Sequence, residues 1–184
     1  MSNNNSLRDL LDSSYHNNKK AHLIGEKHGY VLDHELSTKN HKVYTDKEGR
    51  PTIVFRGTAS KGDALTDVAL ATGHHKQTPK YKRSQKTVAK VRTKYPDKEL
   101  TAVGHSLGGK LAEGVGADKV VTYNKAIGRK DIGRKRGKKQ VDIRDQYDPI
   151  SSLIFTQRGG KTIRKTPRGT GILSLNHHSL PDKI

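Results

Sequence analysis

The chain has no cysteine and no tryptophan, two phenylalanines and one methionine. The first absence rules out disulfides and thiolate-bound zinc, and it fits a reducing compartment. The scarcity of large apolar side chains, with only 30% hydrophobic residues overall, predicts a thin core and much solvated loop. Nowhere do about 18 apolar residues run together, so no transmembrane segment is expected. Residues 1–11 lack the apolar stretch of a signal peptide. These absences favour a cytoplasmic or virion-associated protein over a classically secreted one. Negative charge is scarce as well: 18 Asp and Glu stand against 36 Lys and Arg, a net charge of +18. That balance points to anionic partners, either an acidic membrane surface or nucleic acid.

What is present is organised around residues 100–116. Leu100 to Val103 is a short apolar run that reads as a buried strand, and Lys110 to Gly116 reads as a helix. Between them lies Gly104-His105-Ser106-Leu107-Gly108, a G-x-S-x-G turn. A strand-to-helix turn this tight strains its central residue and stands the side chain clear of the sheet. A Cβ at position 104 or 108 would strike the opposing backbone. Ser106 is therefore the candidate nucleophile, placed at a helix N-terminus that favours developing negative charge.

The rest of the chain, 184 residues expected to form one domain over 1–184 with residues 1–5 frayed, supplies a scaffold. Leu7, Leu10, Leu11 and Tyr15 fall at helical spacing behind Ser6 as a cap. Residues 30–32, 42–44 and 52–55 read as strands, with a turn over 46–50. Residues 63–71 are modestly amphipathic, either a lid or a packed helix. Thr78-Pro79 opens a helix to about Lys94, with Tyr81, Val88 and Val91 inward and Lys80, Lys82, Arg83, Lys86, Lys90 and Arg92 on the other face. Residues 119–123 and 140–144 read as strands. The loop 128–139 is basic, glycine-rich and unfit for a core. Residues 153–158 and 161–165 look like a hairpin about Gly159-Gly160. The alternation of strand and helix between Thr52 and Arg144 predicts an α/β fold, a central and mostly parallel sheet flanked by helices.

A serine hydroxyl needs a base, and the base an orienting carboxylate. In α/β-hydrolases they follow the serine in the order Asp or Glu, then His. Asp148, beyond a strand end and stiffened by Pro149, is the preferred carboxylate; Asp145 competes, and Asp142 lies inside the strand. His178 is preferred over His177 as base. Arg56-Gly57-Thr58, directly after a strand, is the kind of loop that gives an oxyanion hole its second donor, though an ordinary strand-ending turn looks the same.

These motifs resemble the class 3, fungal-type lipases of the α/β-hydrolase superfamily. The resemblance rests on Val54-Phe55-Arg56-Gly57-Thr58 with Asp67 downstream, Val103 to Gly109, Asp148-Pro149-Ile150 and His178-Ser179-Leu180. It implies Ser106, Asp148 and His178 as a triad, an oxyanion hole from Thr58 and the Leu107 N–H, a lipid-ester substrate, and no cofactor or metal. The chain departs from that pattern at Asn124-Lys125-Ala126, where such lipases carry Gly-Ser/Ala-Pro, so the cleft wall there differs. It also lacks the lid tryptophan, is short, and is exceptionally basic. The reading is thus a serine esterase of acyl glycerolipids, phospholipids in particular. The alternative is a lipase-like polycation that binds nucleic acid or another polyanion, packaged in a viral particle.

Overall fold

The computed structural model describes residues 3–58, 78–148 and 151–165. The amphipathic segment 63–71, Asp67, Pro149-Ile150 and the tail with His177 and His178 lie outside the described residues.

Two helices, α1 (Asn3–Ser13) and α2 (Asn18–Lys27), precede three strands, β1 (Val31–Leu32), β2 (His41–Thr45) and β3 (Pro51–Phe55). Helix α3 (Pro79–Lys94) leads to β4 (Thr101–His105), α4 (Leu107–Gly114), β5 (Lys119–Tyr123), β6 (Gln140–Asp145) and β7 (Lys161–Lys165). The seven strands form one sheet in the order of the sequence. β1, β2 and β3 pair antiparallel, and β3 to β7 pair parallel. Parallel crossovers are right-handed, and a sheet laid down in consecutive order sends all of them over one face. Accordingly α3 and α4 pack together there, where Val88, Val91, Leu111, Ala112 and Val115 close on Val43, Ile53, Phe55 and Ala102. The other face is covered by chain that comes before the parallel strands: Leu10 and Leu11 of α1 and Ala21 of α2 pack on Val54, Val103 and Ile143.

The caps explain where helices begin. Thr78 accepts a hydrogen bond from the Tyr81 N–H, with Pro79 in the first turn. Asn17 accepts one from the Lys20 N–H and opens α2, a helix with no apolar stripe to announce it. Its buried residues are Ala21 and Gly25, and a Cβ on Gly25 would come within 2.6 Å of the Tyr44 ring. α1 begins at Asn3, three residues before the expected cap at Ser6.

Two expectations are corrected. Residues 152–156 form a 3₁₀ turn and not a strand, so there is no hairpin at Gly159-Gly160. Both glycines do turn the chain, with φ of 68° and 64°, but they feed β7 alone into a parallel register on β6. Ile154 is buried while Phe155 points to solvent, which anchors the turn without a ladder. The loop 128–139 does contribute buried residues, Asp131 and Arg136. They enter a cluster of three buried cations and three carboxylates beneath α4, which the half-buried Arg134 also joins through Glu113 and Asp131. Lys125 Nζ lies 2.9 Å from Glu113 and 3.2 Å from Asp142. Arg136 lies 2.7 Å from Asp142. Lys110 bridges Glu113 at 3.3 Å and also pairs with Asp131. Gln140 and Thr122 donate to carboxylates of the same group. Buried charges persist only when paired and hydrogen-bonded, and here each is.

Burial alone would raise the Glu113 pKa, but Lys125 and Lys110 outweigh it and hold the carboxyl at about 2. Its folded pKa is depressed, so the stability it contributes is complete above the ordinary value of 4.5 and is lost as pH falls through about 2. Glu113→Gln leaves Lys110 and Lys125 short of a partner. The expected cost is about 3–5 kcal/mol at neutral pH, read from urea denaturation, with a flatter stability profile at acid pH than the wild type shows.

Candidate active site

The site sits at the carboxyl ends of β3, β4, β5 and β6, which the register brings level. Phe55 pairs with Gly104, His105 with Tyr123, and Tyr123 with Ile143. β4 passes straight into α4, and the residue between is Ser106, with φ 55° and ψ −126°. A non-glycine residue at positive φ costs on the order of 1–3 kcal/mol and persists only where its surroundings over-determine it. They do so here. A Cβ on Gly104 would lie 2.2 Å from the Gly108 carbonyl, and one on Gly108 would lie 2.3 Å from the Phe55 oxygen. The Ser106 N–H donates to the Tyr123 carbonyl at 3.1 Å, and its own carbonyl accepts from Gly109, Lys110 and Ala126. Although Ser106 stands at the cap of α4, its side chain makes no capping hydrogen bond.

The loop Arg56-Gly57-Thr58 lies against this turn. A Cβ on Gly57 would come 3.5 Å from the Ser106 Cβ and 2.8 Å from the His105 oxygen. Thr58 Oγ1 is buried and has no hydrogen-bond partner among the described residues, an arrangement that costs free energy unless something else comes to meet it. Leu107, half-buried, is the first residue of α4, so its N–H lies outside the helix ladder.

Two side chains hold the loop, and their sequence signals were weak or misleading. Tyr15 lies beyond the end of α1, 3.2 Å from His105 Nδ1, with the Arg56 guanidinium 5.3 Å above its ring. Burial raises its phenol pKa, against a hydrogen bond with the Gly57 backbone. Lys80, expected on the solvated face of α3, turns inward instead. Its Nζ donates to the Arg56 carbonyl at 2.9 Å and the Gly57 carbonyl at 3.3 Å. Burial, aided by repulsion from Arg56 and Arg83, pulls its pKa down to about 8.

Both candidate carboxylates, Asp145 at the end of β6 and Asp148 beyond it, are buried. Asp148 is fully enclosed and accepts from the Ser151 N–H at 2.9 Å. Asp145 accepts from the Tyr147 N–H at 3.0 Å. Both lie close enough to the Tyr123 phenol to add their repulsion to burial, the larger cause, in raising its pKa. Arg144 ties this corner by donating to the carbonyls of Asp145, Gln146 and Asp148. Asn124, at φ 43° where the lipase pattern has a small residue, receives the Asp145 N–H at 2.7 Å. Asp142 points into the buried cluster and away from the turn. His178 and His177 fall outside the described residues. Among the described residues no three His, Asp or Glu side chains converge as a metal would need. A cavity of about 420 Å³ opens at the opposite pole, where Thr52, Thr101 and Lys119 meet Leu7 and Leu10, too far along the strands to serve Ser106.

Sequence comparison alone matches the chain to no family model and to no curated protein. Solved structures do match. A lipase of Yarrowia lipolytica superposes with a TM-score of 0.55 at 16% identity, over 87% of this chain and 76% of that one. A Rhizomucor miehei lipase gives 0.55 at 15%, over 88% of this chain and 65% of that one. A triacylglycerol lipase of Penicillium expansum gives 0.52 at 15%, over 86% and 77%. The fold is therefore the α/β-hydrolase fold of the fungal class 3 lipases, in a chain that spans about two thirds to three quarters of their length.

The contact of Gly108 with β3 is testable by itself. Gly108→Ala should cost about 3 kcal/mol, as overpacking against backbone does, in urea denaturation. Gly137→Ala, where a Cβ meets nothing within 4 Å, should stay within about 0.5 kcal/mol of wild type.

Proposed function

We propose that the protein is a serine hydrolase of acyl glycerolipid esters. The observation that carries the reading is Ser106, held at positive φ on a strand-to-helix turn by backbone contacts that only glycine permits, on the fold of the fungal lipases. In this reading Ser106 Oγ attacks the ester carbonyl carbon while His178 takes the hydroxyl proton. The oxyanion accepts hydrogen bonds from the Leu107 N–H and from Thr58, whose buried hydroxyl has no partner among the described residues. As the C–O bond breaks, His178 returns the proton to the glycerol oxygen. Water then attacks the acyl carbon as it gives a proton to His178, and His178 passes that proton to Ser106 Oγ as the acyl C–O bond breaks, releasing the acid. Asp148 orients the imidazole and stabilises its cation. Lys80 and Tyr15 act through the loop they hold, as positioning residues.

Lipid esters are favoured over other acyl esters by the resemblance of the fold. Phospholipids are favoured over neutral glycerides because a chain of net charge +18 concentrates on anionic surfaces. Among the described residues no helix is long and apolar enough to cross a membrane, so substrate would be met at the surface.

Hydrolysis of a short-chain chromogenic ester and of a phospholipid panel tests the reading. Ser106→Ala should lower turnover by several orders of magnitude with an unchanged melting curve; retention of more than about a tenth of the activity would falsify the mechanism. Asp148→Asn and His178→Ala should be crippling, and Asp145→Asn and His177→Ala mild. A reversed result at either pair transfers that role to the neighbour.

Thr58→Val keeps the shape and removes the hydroxyl. A fall in kcat of about 10²–10³, with KM little changed, is expected for one oxyanion donor. An unaltered kcat assigns the loop a structural role only.

A further inference from the structure

The positive charge is unevenly placed along the chain. Residues 1–58 carry nine Lys and Arg against seven Asp and Glu, whereas residues 78–165 carry 23 against eight. Within the second part α3 is extreme, with seven basic residues in sixteen and no acidic one. Three of the seven have structural partners: Lys80 inside the loop, Arg92 on Asp118, and Lys94 on Asp33 and Glu35. The other four, Lys82, Arg83, Lys86 and Lys90, are exposed and meet no carboxylate among the described residues. Lys82, Lys86 and Lys90 succeed one another at intervals of four. They form a row with a rise of about 6 Å per step, about 12 Å in all. Like charges at this spacing repel and weaken the helix that carries them. Solubility is served equally well by mixed charge, so the row calls for a partner.

The direction of α3 selects that partner. Its first turn touches Arg56 and Gly57, beside Ser106. Its last turn reaches Asp33 and Glu35, and Lys98 just beyond it reaches Glu48 in the turn between β2 and β3. The helix thus runs down the side of the molecule, from the pole with the candidate site to the opposite pole. A flat bilayer laid across the site would meet only its first turn. A rod-shaped polyanion lying along the helix would meet the whole row. The outer face also offers no ring for base stacking, since Tyr81 is turned onto Gly114 and Tyr95 onto Asp33. Single-strand binding relies on such rings.

We propose that the outer face of α3 is a docking strip for the phosphodiester backbone of double-stranded nucleic acid, engaged through Lys82, Arg83, Lys86 and Lys90 without regard to base sequence. Four phosphate contacts release counterions with a slope of log K against log salt of about −3.6, so this strip alone would lose about 10²-fold in affinity between 50 and 200 mM salt. The surface is independent of ester chemistry and is measured without a lipid substrate. Failure of the esterase reading therefore leaves it standing, and its failure leaves that reading untouched.

The test uses a fluorescein-labelled duplex of about 20 base pairs, with binding followed by anisotropy across a salt series. The proteins are wild type, the α3 variant Lys82→Gln/Arg83→Gln/Lys86→Gln/Lys90→Gln, and an equally charged comparison variant, Lys135→Gln/Lys138→Gln/Arg158→Gln/Lys161→Gln. Melting curves check folding, and the α3 variant should melt no lower than wild type because like-charge repulsion is relieved. The expected result is salt-dependent binding by wild type, with the α3 variant losing about 3–4 from the slope and the comparison variant less than half of that. Three results overturn the proposal. One is no duplex binding by wild type at about 50 mM salt. Another is equal loss in the two variants, which makes the attraction diffuse. The third is tighter binding to vesicles of equal parts phosphatidylserine and phosphatidylcholine than to the duplex, lost in the α3 variant, which makes the strip a membrane contact.

Discussion

The approach of α4 to the end of β3, with no side chain between them, is the constraint from which the site follows. Gly108 rests against the Phe55 carbonyl and the Arg56-Gly57 peptide. A methyl group there would push α4 off the sheet, release the strained backbone of Ser106 and part it from the Thr58 loop. The left-handed backbone at Ser106 is thus a consequence of packing two elements too closely for any residue but glycine. The energy stored in it is carried by the core that Leu111, Ala112 and Val115 make with α3.

A chain poor in large apolar residues has to fill the space beneath α4 with something else. It uses Lys110, Glu113, Lys125, Asp131, Arg136 and Asp142. Pairs of this kind add little net stability over apolar residues of the same size, but they tolerate no wrong partner. Their effect is to fix register. The cluster joins α4 to the segment after β5, to the loop 129–139 and to β6, so helix and loop cannot slide independently. Lys125, standing where the fungal pattern has a small residue, is what commits this protein to a charged interior at that corner.

The scaffold was legible wherever a local signal and the tertiary context agreed. Thr78-Pro79 marked the start of α3, the β-branched runs marked β3 and β5, and the glycine spacing marked the turn at Ser106. Elsewhere the context prevailed. α2 buries Ala21 and Gly25, small residues that leave no hydrophobic period to count. Residues 152–156 have the composition of a strand, yet β6 takes Lys161–Lys165 as its neighbour. Asp131 and Arg136 look solvated in a basic loop because their partners come from α4 and β6. At the site, Ser106 was visible from spacing alone. Tyr15, Lys80 and Arg144 were not, because each acts by holding a backbone carbonyl or ring from a distant part of the chain, which no local pattern encodes.

The separation of the two sheet faces has a bearing on the order of assembly. The α3–α4 face is built by crossovers that each close on a strand just made. The other face is covered by α1 and α2, whose apolar residues meet Leu32, Tyr44 and Val54 first and complete their packing only with Val103 and Ile143, some eighty or more residues later. Loop closure over such spans is slow compared with local packing. During synthesis α1 and α2 therefore have only part of their final packing surface until β4 and β6 are made. Tyr15 reaches His105, and steadies the loop beside Ser106, only once that wait is over. The opening segment is also the part of the chain whose charges nearly balance, so it can linger partly packed without being drawn to the polyanions that the rest of the molecule attracts.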